Sequence, residues 1–214
     1  MKQLIKIMLL ILLGFVFDQS VVLGESIVYQ KVDLEADLKK QIDSIYKTLY
    51  YEDFQGALRS LRQVQEQAAN QKLWEIQLSA LLNMHYCAQY HGKLDTMVYY
   101  LKEARNFFAN LPDEVPGHIS DQLERKLRYA DGNAAYRFGE YELAIAEFEK
   151  IVSFDSLKPV YLYKCLSFIG HAYANLDYYP QAIDYHNQAL DQLPAKKKIS
   201  LLQRRKLFIP GDFL

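Results

Sequence analysis

The histidine and cysteine side chains are the groups in this sequence best suited to bind a metal ion. They are His85, His91, His118, His171, His186, Cys87 and Cys165. Cys87 and His91 are four residues apart, so in a helix they would share one face and form half of a metal site. No His-Glu-x-x-His pair and no Cys-x-x-Cys cluster supplies further ligands at metal-binding spacing. We therefore predict that the protein holds no metal or other cofactor, and that both cysteines are free thiols in the apolar core.

Nucleophilic and acid–base catalysis also lack their usual sequence patterns. The chain has no Gly-x-Ser-x-Gly elbow and no glycine-rich loop of the kind that cradles phosphate. The adjacent acids Asp113 and Glu114 stand among prolines and a glycine in residues 110–117, which predicts a loop. We predict that the protein is not an enzyme. An extracytoplasmic hydrolase is therefore the functional class with the least support.

The composition favours a helical protein without a strongly charged ligand. Hydrophobic residues make up 50% of the 214-residue chain, and its 9 glycines and 6 prolines are few, which fits long helices with short connections. The 25 basic and 26 acidic residues nearly cancel, so bulk charge does not indicate nucleic acid or an acidic substrate.

The first residues have the pattern of a secretory signal. Lys2 and Lys6 precede an apolar run at 7–17, and small or β-branched residues lead to Gly24. The run is shorter than the about 20 residues that a membrane-spanning helix needs. We predict a signal peptide at 1–24, a linker at 25–33 and an exported protein, periplasmic or secreted. The alternative is that an uncleaved N-terminal segment anchors the protein to a membrane.

The clearest pattern is internal repetition. Gly132, Tyr141, Ala144 and Ile145 recur 38 positions later as Gly170, Tyr179, Ala182 and Ile183. The pattern of small and aromatic residues continues in each copy. The later copy adds Leu166, Ile169, Tyr173, Ala189 and Pro194, and the earlier one adds Gly139, Phe148 and Ile151. The small residues would let two helix backbones approach closely.

These residues resemble the tetratricopeptide repeat (TPR) family, whose unit is a hairpin of two helices in about 34 residues. The resemblance covers four copies, at about 38–71, 78–111, 125–158 and 163–196, in a domain at 34–194. The last two copies fit best, although His186 stands where the family usually has a bulky apolar residue. In the first two, Ile45, His85 and Met97 stand where small residues belong, so we expect looser or differently angled hairpins there.

The local sequence suggests where several helices begin. Ser120 or Asp121 is expected to cap a helix that runs through about Arg137. Asp177 is expected to cap the last helix of the repeats, with Pro180 inside its first turn.

The resemblance implies the fold and the position of the binding surface. The expected fold is all-α: an α-solenoid of four TPR-like hairpins in a right-handed superhelix, closed by a C-terminal capping helix. In this family the first helix of each hairpin lines a concave groove that holds an extended peptide or a partner helix. By position, the groove candidates are Tyr46, Tyr50, Asn83, Tyr86, Gln89, Tyr90, Tyr129, Asn133, Tyr136, Arg137, Lys164, His171 and Asn175.

The composition of residues 195–214 differs from that of the repeats. These residues contain a Lys196–Lys198 run, a second basic group at 204–206 and an apolar end, which predicts a basic cap helix followed by an apolar tail. A nucleic-acid partner is not expected of an exported protein.

The sequence therefore predicts a non-catalytic TPR module that binds a protein or peptide segment outside the cytoplasm through its concave groove. It resembles exported bacterial TPR proteins. The alternative is the periplasmic, sensory fragment of a transmembrane signalling or transcriptional regulator. A membrane contact is expected only if the N-terminal segment is retained.

Overall fold

A computed structural model describes residues 31–154 and 157–194. Within these two ranges the chain forms eight helices and no β-strand. They are α1 (31–48), α2 (Phe54–Asn70), α3 (Trp74–Tyr90), α4 (Leu94–Ala109), α5 (Gly117–Phe138), α6 (Tyr141–Val152), α7 (Pro159–Asn175) and α8 (Tyr179–Asp191). Successive helices pack on one another, as α5 with α6 and α7 with α8, which confirms the predicted all-α architecture of helical hairpins. None of the described helices is long and apolar enough to cross a membrane.

The chain divides into two compact units, and the boundary along the sequence falls between Phe107 and Phe108. In the first unit α2 packs on α3, and in the second α5, α6, α7 and α8 pack in sequence. Residues 31–33, which the sequence assigned to the linker, belong to α1. The predicted signal peptide at 1–24 and the predicted cap and tail at 195–214 lie outside the described residues.

Four of the connections between helices use the same backbone turn. Each contains one residue in the left-handed conformation: Lys72 (φ 53°), Gly92 (65°), Gly139 (79°) and Asp177 (62°). The residue after each of them donates its N–H to the carbonyl five positions earlier, at 2.9 Å in all four cases. This bond satisfies a carbonyl that the end of a helix leaves without a partner. The repeat is thus present in the backbone even where the side chains differ.

Gly132 and Gly170 lie where the other helix of the same hairpin approaches closely, as predicted. A Cβ atom added to Gly132 would lie 3.1 Å from the Phe148 ring, and one added to Gly170 would lie 2.9 Å from the His186 ring. Both glycines and both rings are related by the 38-residue repeat. His186, the departure from the family pattern, therefore occupies the place that Phe148 has one hairpin earlier.

Two predicted helix caps are wrong. Helix α5 begins at Gly117, after Pro116, whose carbonyl accepts from the N–H groups of Ile119 and Ser120, so Ser120 lies inside the helix. Asp121 follows it there. The proline, which has no N–H to satisfy and cannot continue a preceding helix, sets the start.

At α8 the predicted cap, Asp177, is the left-handed residue of the turn, and Tyr178 precedes the helix without a side-chain cap. The Asp177 carboxylate accepts instead from the Tyr179 hydroxyl, at 2.7 Å. Pro180 lies in the first turn, as predicted.

The oversized residues of the first two hairpins are all buried. His85 and Met97 are completely inaccessible, and Ile45 is 7% exposed. The His85 ring nitrogen Nδ1 lies 3.0 Å from the Met97 carbonyl oxygen, so a hydrogen bond links α3 to α4.

Candidate functional site

In the first unit, three of the groove candidates form one aromatic cluster. The Tyr46 ring contacts those of Tyr50 and Tyr51, and the Tyr90 ring contacts the same two rings. The centroids of these pairs are 4.8 to 6.3 Å apart. Tyr46, Tyr51 and Tyr90 are exposed, and the hydroxyls of Tyr46 and Tyr51 are hydrogen-bonded to each other. Tyr50 lies beneath them and is only 6% exposed. Burial raises its pKa well above the usual tyrosine range.

Cys87 and His91 do lie on one face of α3, but both are directed at a backbone group. His91 Nε2 is 2.9 Å and Cys87 Sγ is 3.6 Å from the carbonyl oxygen of Tyr50. The pair therefore ties the α1–α2 connection to α3. Both cysteines of the chain are buried and unpaired, as predicted. Within the described residues, no group of three or more His, Cys, Asp or Glu side chains is placed to hold a metal ion.

The other candidates of the first unit are partly buried on α3. Asn83 donates through Nδ2 to the Ser79 carbonyl of its own helix at 2.8 Å, and the Tyr86 ring contacts the ring of His85. Gln89 has a buried Oε1 atom without a hydrogen-bond partner among the described residues.

In the second unit the candidates of α5 fall on one stripe. Tyr129, Asn133 and Tyr136 are separated by four and three residues, the spacing that places side chains on one side of a helix. Phe168 of α7 contacts both tyrosine rings, at 6.0 Å from Tyr129 and 5.7 Å from Tyr136. Asn175, also on α7, donates through Nδ2 to the Tyr136 hydroxyl at 3.2 Å. We call these five residues the α5–α7 face.

The face carries one unsatisfied polar group. Asn133 is 9% exposed, and its Oδ1 atom has no hydrogen-bond partner among the described residues. It lies on the same side of α5 as the two tyrosines. Leaving a buried acceptor unpaired costs about 1–3 kcal/mol, so this oxygen is a natural acceptor for an N–H group of a ligand.

The remaining candidates surround this face without joining it through described contacts. Arg137 at the end of α5 and Lys164 on α7 are exposed. His171 is exposed too, but its ring lies against His186 of α8, with centroids 4.7 Å apart. His171 therefore sits at the border between α7 and α8.

A pocket that the sequence did not predict adjoins the face. It has a volume of about 350 Å³ and lies between the beginnings of α5 and α7. Its lining residues are Gln122, Arg125, Lys126, Leu157, Lys158 and Tyr161. The Tyr161 ring contacts that of Tyr129 at 5.4 Å, which connects the pocket to the face. The stripe on α5, continued towards the N-terminus by steps of three and four residues, leads to Lys126 and Gln122, and this signal was present in the sequence.

The hydroxyls of Tyr129 and Tyr161 are protonated at neutral pH. Burial raises the pKa of Tyr161 to about 12, with a smaller upward contribution from Cys165, whereas the charge of Arg125 lowers it. Burial likewise raises the pKa of Tyr129 beyond the usual range. Both hydroxyls can therefore donate a hydrogen bond as well as accept one.

Comparison with known proteins gives little beyond this geometry. No protein-family model and no curated protein matches the chain. Two solved crystal structures of the protein MamA are similar. One is 16% identical, covers 76% of this chain and 86% of its own, and has a TM-score of 0.38. The other is 17% identical, covers 78% and 93%, and has a TM-score of 0.39. At these TM-scores the likeness carries no argument about the ligand.

Proposed function

We propose that this protein is a non-catalytic module that binds a segment of another protein along the α5–α7 face. The observation that carries the proposal is the buried, unpartnered Oδ1 of Asn133 on that face. A backbone N–H of an extended segment would satisfy it, because every non-proline residue of a peptide offers one such donor.

The surroundings of Asn133 suit a peptide. Tyr129, Tyr136 and Phe168 are half-buried rings that present apolar area, and the two tyrosines add hydroxyls for polar backbone groups. Tyrosine supplies a large contact area with few rotatable bonds, so ordering it on binding costs little. Asn175 already holds the Tyr136 hydroxyl in place.

Site-specific photo-crosslinking tests the position of the segment. Lys164, exposed on α7 beside the face, is replaced by a photoreactive amino acid, and in a second variant the exposed Gln188 of α8 is replaced in the same way. The crosslinked peptides are identified by mass spectrometry. We expect a defined segment of one protein from position 164 and none from position 188. The same products from both positions would place the segment elsewhere.

Once the segment is known, Asn133→Ala tests the anchor. Loss of one hydrogen bond in the complex is worth about 1 kcal/mol, or about a fivefold weaker Kd. The free energy of unfolding should change by less than about 1 kcal/mol, because the lost packing is offset by removal of an unpaired buried acceptor. Asn187→Ala, at an exposed position of α8, is the matched control and should bind like the wild type. Undiminished binding by Asn133→Ala would show that Asn133 is not the anchor.

We also propose that the protein acts outside the cytoplasm, either periplasmic or secreted. The support is the signal-like pattern of residues 1–24 alone. N-terminal sequencing of the protein isolated from its native source should begin at Glu25. A start at Met1 would contradict cleavage.

A further inference from the structure

The pocket between the beginnings of α5 and α7 has a distinct charge. Three of its six lining residues are cationic, namely Arg125, Lys126 and Lys158, and none of the six is acidic. Within residues 31–154 and 157–194, neither Arg125 nor Lys158 takes part in an ion pair. A concave site lined by charges of one sign concentrates ions of the opposite sign. The pocket therefore favours an anion.

We propose that this pocket binds an oxyanion, either the phosphate or the carboxylate group of a small molecule, through Arg125, Lys126 and Lys158. Phosphate and carboxylate share the chemistry that these groups recognise, since both present oxygen acceptors to a guanidinium fork and to ammonium groups. The volume of about 350 Å³ lies in the range of about 300–1,000 Å³ that is usual for small-molecule sites.

The polar groups of the pocket are positioned by their neighbours. The Arg125 guanidinium lies over the ring of Phe154, 5.2 Å from its centroid, and this contact limits the orientations of the fork. Tyr161, whose hydroxyl is protonated at neutral pH, adds a neutral donor to the cationic ones. Lys158 directly precedes the first residue of α7, so the positive end of that helix dipole adds to its charge.

Oxyanion binding is separable from segment binding. None of the pocket residues belongs to the α5–α7 face, and Asn133→Ala leaves the pocket lining intact. Failure of one proposal therefore leaves the other standing.

Isothermal titration of the full chain with inorganic phosphate and, separately, with glutarate tests the proposal. The ionic strength is held constant with sodium chloride, so that general screening does not change during the titration. We expect saturable binding of at least one of the two anions. Phosphate alone, glutarate alone or both would each support the site and would identify the group it prefers. No saturable binding of either would overturn the proposal.

Three matched variants locate the site. Arg125→Gln and Lys158→Gln should each weaken binding about fivefold to tenfold, since each removes a charge-assisted contact. Lys102→Gln removes an exposed charge from α4, outside the pocket and the α5–α7 face, and should leave binding unchanged. Wild-type affinity in both pocket variants, or an equal loss in Lys102→Gln, would overturn the assignment. Lys158 precedes its helix and, among the described residues, stacks on no aromatic ring as Arg125 does on Phe154. Its variant therefore remains informative if Arg125→Gln is unstable.

Discussion

The close approach of Gly170 to His186 predicts that the effect of Gly170→Ala on stability depends on the residue at position 186. A Cβ at position 170 would lie 2.9 Å from both Cε1 and Nδ1 of the His186 ring and 3.1 Å from its Cγ. Favourable carbon contacts need about 3.5–4.0 Å, and because Cγ is involved the ring must move as a whole. Overpacking of this kind costs about 1–3 kcal/mol. The same substitution gains about 1 kcal/mol of helix propensity, since Gly170 lies inside α7.

Gly170→Ala should therefore range from neutral to about 2 kcal/mol destabilising in the wild type. In a His186→Ala background the clash is absent, and the same change should stabilise the protein by about 1 kcal/mol. The difference is a coupling free energy of about 1–3 kcal/mol, measured by denaturant unfolding of the four proteins of the double-mutant cycle with far-ultraviolet circular dichroism.

A second cycle provides the control. Gly132 faces Phe148 rather than His186, so Gly132→Ala should show no coupling to His186→Ala. An equal cost of Gly170→Ala in both backgrounds would refute the packing argument, and with it the claim that His186 takes the role of Phe148.

Two further predictions concern the turns and pH. Gly139→Ala should destabilise the protein by about 1 kcal/mol because φ is +79°, although the new Cβ would meet no described atom within 4 Å beyond its chain neighbours. Gly117→Ala, equally uncrowded and without a positive φ, should be neutral or slightly stabilising. Equal thermal shifts in the two variants would contradict the role of the left-handed turn. Burial lowers the pKa of His85, an effect that its hydrogen bond to Met97 only partly opposes. The unfolded chain then binds the proton more readily, so stability should fall as pH drops below about 6.5, by at most about 1.4 kcal/mol per pH unit. The free energy of unfolding is measured by denaturant titration of wild type and His85→Gln at several values between about pH 7.5 and 5. Its change with pH should differ between the two proteins. An identical pH dependence would show that His85 does not contribute.

The hairpin architecture was predictable because its determinants are local and repeated. Gly132 and Gly170 mark the close approaches, and the rings that cover them recur at the same offset. The helix starts were less predictable. Ser120 is a favoured cap residue by type, but α5 begins earlier, at Gly117, directly after Pro116.

The pocket was not predicted from the sequence because two helices begin earlier in the chain than expected. Helices α5 and α7 begin at Gly117 and Pro159, before the starts of the repeats predicted at 125 and 163. Lys158 and Tyr161 therefore fell outside the predicted fourth repeat. Tyr50 shows a different limit, because its burial depends on how the α1–α2 connection folds over α3, which no pattern in the sequence specifies.

The two aromatic surfaces differ in how firmly they are held, and this difference bears on binding. On the α5–α7 face, Phe168 is stacked on the fully buried Phe148, with centroids 5.0 Å apart and planes 12° apart, and Tyr129 meets the same ring at 5.6 Å. Each such pair contributes about 0.5–1.5 kcal/mol beyond its burial. These rings are thus fixed by the core before a ligand arrives, which saves about 0.5–1.5 kcal/mol for each side chain that binding would otherwise immobilise.

In the first unit, by contrast, Tyr46 and Tyr51 are exposed and rest on each other, and Tyr90, 59% exposed, contacts Tyr51. Tyr50 is the buried member of that cluster, and the Tyr90 ring also contacts the ring of the partly buried His91. The α5–α7 face therefore offers preorganised rings beside a buried acceptor, the arrangement that would favour one backbone register if a segment binds there. The tyrosine cluster of the first unit can change rotamers at lower cost, so it favours contacts that tolerate different side chains.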